Sequence, residues 1–204
     1  MSPDRTSSKQ HLNMRKRITL FFQRRLWRLC RRRFRLEKDG EHGPAHWQRV
    51  AAFGELLHEK NPKVDMAVVR AFACLHDVER MDNGDDLDHG PRAARLAMRI
   101  RRLYLPHLSD SQALALYIAC EIHTFWPRLE TVEYADCRRP GSRQYPLVET
   151  VNACLDADRL DLVRCGAVPD PEKMASPEGA ALAAREDFVE AVWMCIRDQV
   201  ASIS

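Results

Sequence analysis

Histidine and aspartate residues recur at the ends or on the apolar faces of the helical windows of this chain. Five short stretches contain them, at 42–51, 73–80, 86–94, 121–126 and 155–162, which read HGPAHWQRVA, ACLHDVER, DLDHGPRAA, EIHTFW and LDADRLDL. A helical bundle builds a metal site in its core from ligands that converge from several helices. Imidazole and carboxylate ligands suit Mn, Fe, Zn, Ni or Mg, and the lack of thiol ligands argues against a structural zinc site. The pattern therefore predicts a divalent-metal site.

The order of these residues resembles the H…HD…D signature of the HD-domain superfamily of metal-dependent phosphohydrolases. The adjacent pair His76-Asp77 follows His46, which precedes an Arg-Val pair, and an aspartate in the sequence ADRL comes last. The resemblance covers roughly residues 42–165 and implies an HD-domain helical bundle. Carried over position by position, it implies that the metal ligands are His46, His76, Asp77 and Asp158.

Two further histidines bear on the number of ions. HD proteins with two metals place a pair of histidines between the HD dipeptide and the last aspartate, and His89 and His123 occupy those places in order. The Asp77–His89 spacing is shorter than in the cyclic-dinucleotide phosphodiesterases, whose Gly-Tyr-Pro motif the sequence lacks, so cyclic di-GMP is a poor candidate substrate. His89 also fits a surface position, and His123 also fits a core position. One or two ions per chain therefore stay open, and we favour two.

Neighbouring residues suggest supporting roles. His42 lies one turn before His46 and can reach the same face, as a residue behind the ligands or a substrate contact. Asp156 competes with Asp158, because residues two apart on a helix point in different directions, and the resemblance selects Asp158. Asp161, one turn further on, is placed to support a ligand or an arginine.

The resemblance implies hydrolysis of a phosphomonoester, phosphodiester or phosphoanhydride in a nucleotide-like substrate, by water that the metal activates. We expect Asp77 and Glu79 to act in catalysis, with Glu79 orienting water or protonating the leaving group. Arg80, Arg92 and Arg159 each lie within a turn of a proposed ligand, which suits phosphate recognition. The alternatives are a solvated glutamate and arginines that pair with nearby carboxylates.

The hydrophobic periodicity predicts an all-α fold, since apolar residues recur at helical spacing and little in the chain resembles a strand. Proline, glycine and capping residues separate the windows. Between Phe125 and Tyr145 the sequence predicts a long irregular segment. The predicted helices span about 44–60, 63–80, 88–105, 109–124, 146–164 and 178–201.

The net charge of +3 is distributed unevenly along the chain. Residues 1–39 hold 13 Lys or Arg and three acidic residues, a balance of +10, which leaves −7 for the remainder. We interpret residues 1–39 as a basic, partly helical arm and 40–204 as the HD-type helical domain. Within 13–36, apolar side chains form one helical stripe among arginines, which fits contact with nucleic acid or an anionic membrane surface. A helix packed on the domain, or sequence upstream of a true start at Met14, fits as well.

Composition adds two expectations and leaves rival functions open. Seven scattered cysteines without a CxxC pair predict reduced thiols, and no apolar run approaches the roughly 20 residues of a membrane span, so we expect a cytoplasmic protein. The rivals to a phosphohydrolase are an HD-type di-iron oxygenase with the same ligands, a catalytically silent HD module that binds a nucleotide for regulation, and a nucleic-acid or membrane-surface binder that acts through the arm.

Overall fold

The computed structural model of the chain describes residues 20–124, 147–185 and 187–188, and the regular elements within them are all helical. This confirms the all-α fold class for the described residues. The predicted irregular segment at 125–145 lies outside them. The helices are α1 (20–33), α2 (Pro44–Lys60), α3 (Met66–Leu75), α4 (His89–Tyr104), α5 (Asp110–Ile122), α6 (Val148–Leu160) and α7 (Pro177–Ala183).

The central helices bury large apolar side chains against one another. α2 packs against α3 and α6, α3 packs against α5, and α4 lies along α5. The largest side chains at these contacts are at most 1% exposed, namely Trp47, Phe53, Phe72, Leu116 and Leu155. Full burial of an apolar side chain contributes about 1.5–3 kcal/mol relative to exposure. This core fixes the relative positions of the helices that carry the histidines and aspartates.

The described part of the basic arm, α1, packs into the same core. Leu26, Cys30 and Phe34 are at most 5% exposed. The rings of Trp27 and Phe34 meet the ring of Trp47 edge to face, with centroids 5.5 and 5.3 Å apart. This part of the arm is therefore a helix packed on the rest of the fold, and the boundary between arm and domain stays a prediction.

Side-chain caps set the starts of α3 and α5. The Oδ1 atom of Asp65 accepts hydrogen bonds from the backbone N of Ala67 and Val68 at 2.9 and 3.4 Å. At α5, Ser109 Oγ accepts from the N of Gln112, and Gln112 Oε1 accepts from the N of Ser109, a capping box. Such a cap is worth about 1 kcal/mol. Because Asp65 is the cap, α3 starts after it rather than at residue 63.

The predicted helix over 178–201 is interrupted, because α7 ends at Ala183 and the next described residues form a turn. The chain turns at Arg185, whose carbonyl oxygen accepts a hydrogen bond from the N of Phe188 at 3.1 Å. The turn buries the ring of Phe188, which stacks on Phe53 with centroids 5.9 Å apart. Residues 189–204 lie outside the described part of the chain.

The described cysteines are unpaired, as expected for reduced thiols. Four of them, Cys30, Cys74, Cys120 and Cys154, are buried, and Cys165 is exposed. Burial raises the pKa of the Cys74 thiol to about 12, so it stays protonated and unreactive at neutral pH. Among the described helices, none is long and apolar enough to cross a membrane.

Candidate metal centre

Two buried imidazoles, from the first turn of α2 and the end of α3, face each other. His46 and His76 are both 0% exposed, and their Nε2 atoms are 2.9 Å apart. His46 donates from Nδ1 to Oδ2 of Asp161 at 2.7 Å, and His76 donates from Nδ1 to the carbonyl oxygen of Phe72 at 3.2 Å. Since these oxygens only accept hydrogen bonds, each neutral ring carries its lone pair on Nε2.

A second pair of imidazoles comes from the start of α4 and the end of α5. The Nε2 atoms of His89 and His123 are 2.8 Å apart. Both rings donate from Nδ1 to carbonyl oxygens, His123 to Cys120 at 2.7 Å and His89 to Asp86. Gly90 permits this approach, because a Cβ at its position would lie 2.7 Å from the Cys120 carbonyl oxygen and 3.3 Å from the His123 ring. The second pair therefore repeats the hydrogen-bonding pattern of the first.

The carboxylate of Asp77 lies between the two pairs. Its Oδ2 atom is 3.6 and 3.5 Å from Nε2 of His46 and His76. Its Oδ1 atom is 3.0 and 3.7 Å from Nε2 of His89 and His123. One oxygen thus faces each pair, and two groups of potential ligands share Asp77. Asp77 can therefore supply a ligand oxygen to either cluster.

The donor set fits divalent metal. Two lone pairs less than 3 Å apart cannot hydrogen bond to each other, and they repel strongly where burial lowers the dielectric constant. A metal-binding histidine uses one nitrogen for the ion and donates its other N–H to a carboxylate or carbonyl group. All four rings have that arrangement. The buried clusters can therefore hold one or two ions, and their imidazole and carboxylate ligands are compatible with Mn, Fe, Zn, Ni or Mg.

Carboxylates near the first pair favour positive charge there. Burial lowers the pKa of His76 to about 3, so this ring is neutral at physiological pH and keeps its lone pair. Burial and Arg164 act to lower the pKa of His46, but its hydrogen bonds with Asp158 and Asp161 raise it above the ordinary value. A proton on Nε2 of His46, which would donate to Nε2 of His76 at 2.9 Å, or a metal ion can supply the favoured charge.

α6 directs its two aspartates to different partners. The Oδ1 atom of Asp158 is 3.3 Å from Nε2 of His46 and 3.7 Å from Nε2 of His76. Asp156 is 0% exposed, and its oxygens accept hydrogen bonds of 2.6–2.9 Å from the segment that leads into α7. The structure therefore brings Asp158 to the imidazoles, as the sequence predicts, while Asp156 anchors the segment before α7.

Asp158→Asn and Asp156→Asn should separate metal binding from folding. We expect Asp158→Asn to lower metal content with little change in unfolding temperature of the metal-free protein, because only the centre loses a charge. Asp156→Asn should keep the metal and lower the free energy of unfolding by about 1–3 kcal/mol, because buried donors lose an ionised acceptor. Elemental analysis and thermal unfolding measure the two effects. Metal loss in Asp156→Asn alone would reverse the assignment.

Two of the predicted substrate-binding residues contact the centre through Asp77. His42 donates from Nδ1 to Oδ2 of Asp77 at 2.8 Å, and the indole N–H of Trp47 donates to the carbonyl oxygen of His42 at 2.9 Å. Arg80 donates from Nε to Oδ1 of Asp77 at 3.1 Å. Partners of this kind fix the orientation of a ligand. A direct contact of His42 or Arg80 with substrate stays a prediction.

The other predicted site residues are held in contacts further out. Glu79 forms an ion pair with Arg33 of α1. Arg92 donates to the carbonyl oxygen of Glu79 at 3.2 and 3.0 Å. Arg159, 4% exposed, donates to the carbonyl oxygen of Lys173 at 3.0 Å. Through these hydrogen bonds, Arg92 and Arg159 stabilise the fold. The catalytic role of Glu79 and the binding of phosphate by both arginines stay predictions.

Arg164 is a candidate that the sequence analysis missed. A short 3-10 helix, Asp161–Cys165, places it directly over Asp161, since residues three apart eclipse in such a helix. Its side chain is 8% exposed, and Nη1 donates to the Asp161 carbonyl oxygen at 3.0 Å. Its Nε atom is buried without a hydrogen-bond partner among the described residues. A guanidinium with an unused N–H near Asp158 and Asp77 suits a phosphoryl oxygen.

Comparisons of the chain with protein-family models, with curated proteins and with solved structures gave no match. The resemblance to HD-domain phosphohydrolases therefore depends on the order of the motif residues and on the geometry of the centre. A helical fold with a buried cluster of histidine and aspartate that can bind metal is compatible with an HD-type site.

Proposed function

We propose that this protein is an HD-type metal-dependent phosphohydrolase that acts on a nucleotide-like substrate. The observation that carries the proposal is the pair of imidazole clusters that share the Asp77 carboxylate. His46, His76, Asp77 and Asp158 would hold one ion, and Asp77, His89 and His123 would hold the other. The order of the H…HD…D motif supports the same assignment. The motif selects residues that are far apart in the sequence, and these residues lie together in the structure.

The ligand set suits phosphoryl transfer to water. Bound divalent metal lowers the pKa of a water ligand and neutralises phosphoryl oxygens, so no covalent nucleophile is needed. The residues of the chain keep the centre in place: Asp161 orients the ring of His46, and His42 and Arg80 hold the Asp77 carboxylate. Arg164 adds a buried positive charge beside the centre, which favours a phosphate group over a neutral substrate.

Metal analysis followed by a phosphate-release screen tests the proposal. We expect the purified protein to contain one or two divalent ions per chain and to release phosphate or a nucleoside monophosphate from members of a nucleotide panel. Treatment with a chelator should stop the release, and added metal should restore it. Iron together with dioxygen consumption and no phosphate release would instead indicate a di-iron oxygenase. Nucleotide binding without turnover in the metal-loaded protein would indicate a regulatory module.

Arg164→Lys provides a matched probe of substrate class. Lysine keeps the positive charge but loses the planar, bidentate donor geometry of the guanidinium. The variant should retain its metal while KM for a phosphorylated substrate rises by about one order of magnitude, as for the loss of one charge-assisted hydrogen bond. An unchanged KM would remove Arg164 from substrate binding.

A further inference from the structure

Two arginine-rich helices lie side by side on one surface of the protein. Near the start of α1, the ring of Phe22 stacks on that of His107 at 5.8 Å, and the Arg25 guanidinium lies 5.1 Å from the ring centroid of Tyr104, the last residue of α4. Near the end of α1, Arg33 pairs with Glu79, the residue whose carbonyl oxygen binds the first turn of α4. α1 and α4 therefore run antiparallel to each other.

The exposed side chains of this pair of helices carry a single sign of charge. Neither α1 nor α4 contains an acidic residue. Apart from Arg33, which pairs with Glu79, the exposed arginines of the described parts of both helices form no ion pair with a carboxylate among the described residues. They are Arg24, Arg28, Arg31 and Arg32 on α1 and Arg95, Arg99 and Arg102 on α4, and they define what we call the arginine face.

Large apolar side chains lie exposed at one end of the arginine face. Leu20 and Phe21 at the start of α1 are 52% and 56% exposed, and Leu103 at the end of α4 is 66% exposed. The contacts between the start of α1 and the end of α4 bring these residues to the same end of the surface. Arginines beside exposed Phe and Leu are the composition of a surface that lies in the interface of an anionic bilayer.

We propose that the arginine face binds the protein peripherally to a membrane surface rich in anionic lipids. The arginines pair with lipid phosphates and carboxylates, and Leu20, Phe21 and Leu103 enter the boundary between headgroups and acyl chains. A nucleic acid would also attract the arginines, but it would leave the two exposed leucines without a role. The face is about 20 Å long, from the rise of 1.5 Å per residue over 14 residues of α1, which spans several lipid headgroups.

Vesicle co-sedimentation of the full chain tests the proposal. The protein should bind vesicles of phosphatidylcholine mixed with phosphatidylserine, remain free with phosphatidylcholine alone, and dissociate as salt is raised. Arg28→Glu/Arg32→Glu should weaken binding by on the order of 30-fold or more, from a contribution of about fivefold for each arginine near such a surface. Arg95→Glu/Arg99→Glu on α4 is a second, independent pair with the same expected effect.

Matched variants separate the arginine face from net charge and from nucleic acid. Lys63→Glu/Lys173→Glu reverses two exposed charges outside the face and should leave vesicle binding nearly unchanged. Phe21→Ser/Leu103→Ser should weaken vesicle binding and leave any binding of a duplex oligonucleotide as it was. Equal loss in the lysine variant, no effect of the apolar variant, or tighter binding to the oligonucleotide than to anionic vesicles would overturn the lipid assignment. Metal content of each variant reports that its core is intact.

Discussion

Asp77→Ala is expected to release the metal of both clusters and His76→Ala that of the first, and each should abolish hydrolysis while most of the helical content remains. His76 supplies one Nε2 to the first cluster, and Asp77 is the one residue common to both clusters. Asp77→Ala should therefore empty both sites, whereas His76→Ala should empty the first and leave the other weakened. Asp77→Asn, which keeps the shape of the side chain but removes its charge, should lose the metal as well.

Metal content and thermal unfolding measure this effect without reference to a substrate. A metal present at 100 times its Kd stabilises the folded state by about 2.7 kcal/mol, which for a domain of this size raises Tm by roughly 5–10 °C. Added metal should produce that shift in the natural chain and not in the Asp77 variants. His58→Ala is the matched control, because its ring donates to the Val64 carbonyl oxygen, outside both clusters. Metal and activity retained in both His76→Ala and Asp77→Ala would contradict the proposed centre.

The sequence predicted most of the residues that meet at the centre, since ligands in a helical bundle lie at helix starts and ends. His46 lies in the first turn of α2 and Asp158 lies in the last turn of α6. Hydrophobic periodicity places both helices in the core. The meeting of His46 with Asp161, 115 positions apart, confirms the supporting contact expected of Asp161. Periodicity and motif order were sufficient here because each residue lies on a regular helix or within two residues of the end of one.

Side-chain direction outside regular helices was harder to predict. Arg164 follows Asp158 on what the sequence indicates is one continuous helix, and helical spacing would turn it to a different side from Asp158. Arg164 instead lies one turn after Asp161, a spacing that brings two side chains together in an α-helix as well as in the 3-10 helix observed here, and the sequence analysis considered Asp161 without its i+3 neighbour. Arg92 and Arg159 are near the ligands in sequence, but they donate to the carbonyl oxygens of Glu79 and Lys173, which lie in other segments of the chain. Spacing along the chain could not reveal these two partners.

The early end of α7 has a similar cause. A helical window predicts a continuous helix whenever propensity and periodicity continue, as they do after Ala183. After the turn, the ring of Phe188 is buried against Phe53, a contact between residues 135 positions apart. Such a long-range contact is not visible in a local sequence pattern.

Replacing His89 and His123 together with Ala should remove one ion per chain and keep the other. Both rings face Oδ1 of Asp77, whereas His46, His76 and Asp158 lie on the side of Oδ2, so the first cluster keeps its ligands. Each cluster groups three potential ligands, but Asp158 lies 3.3 Å from Nε2 of His46 and would add a fourth to the first, so we expect the second ion to bind more weakly in the natural chain.

Turnover in the His89→Ala/His123→Ala variant should fall by about 10²-fold or more, the loss typical of removing one electrostatic stabiliser of a transition state. Elemental analysis gives the number of ions, and single-turnover kinetics on the substrate found in the screen give the rate. His58→Ala/His107→Ala removes two imidazoles outside the clusters and should change neither. A drop of one ion with an unchanged rate would mean that the first ion alone supports catalysis. An unchanged number of ions would mean that His89 and His123 contact substrate or core rather than metal.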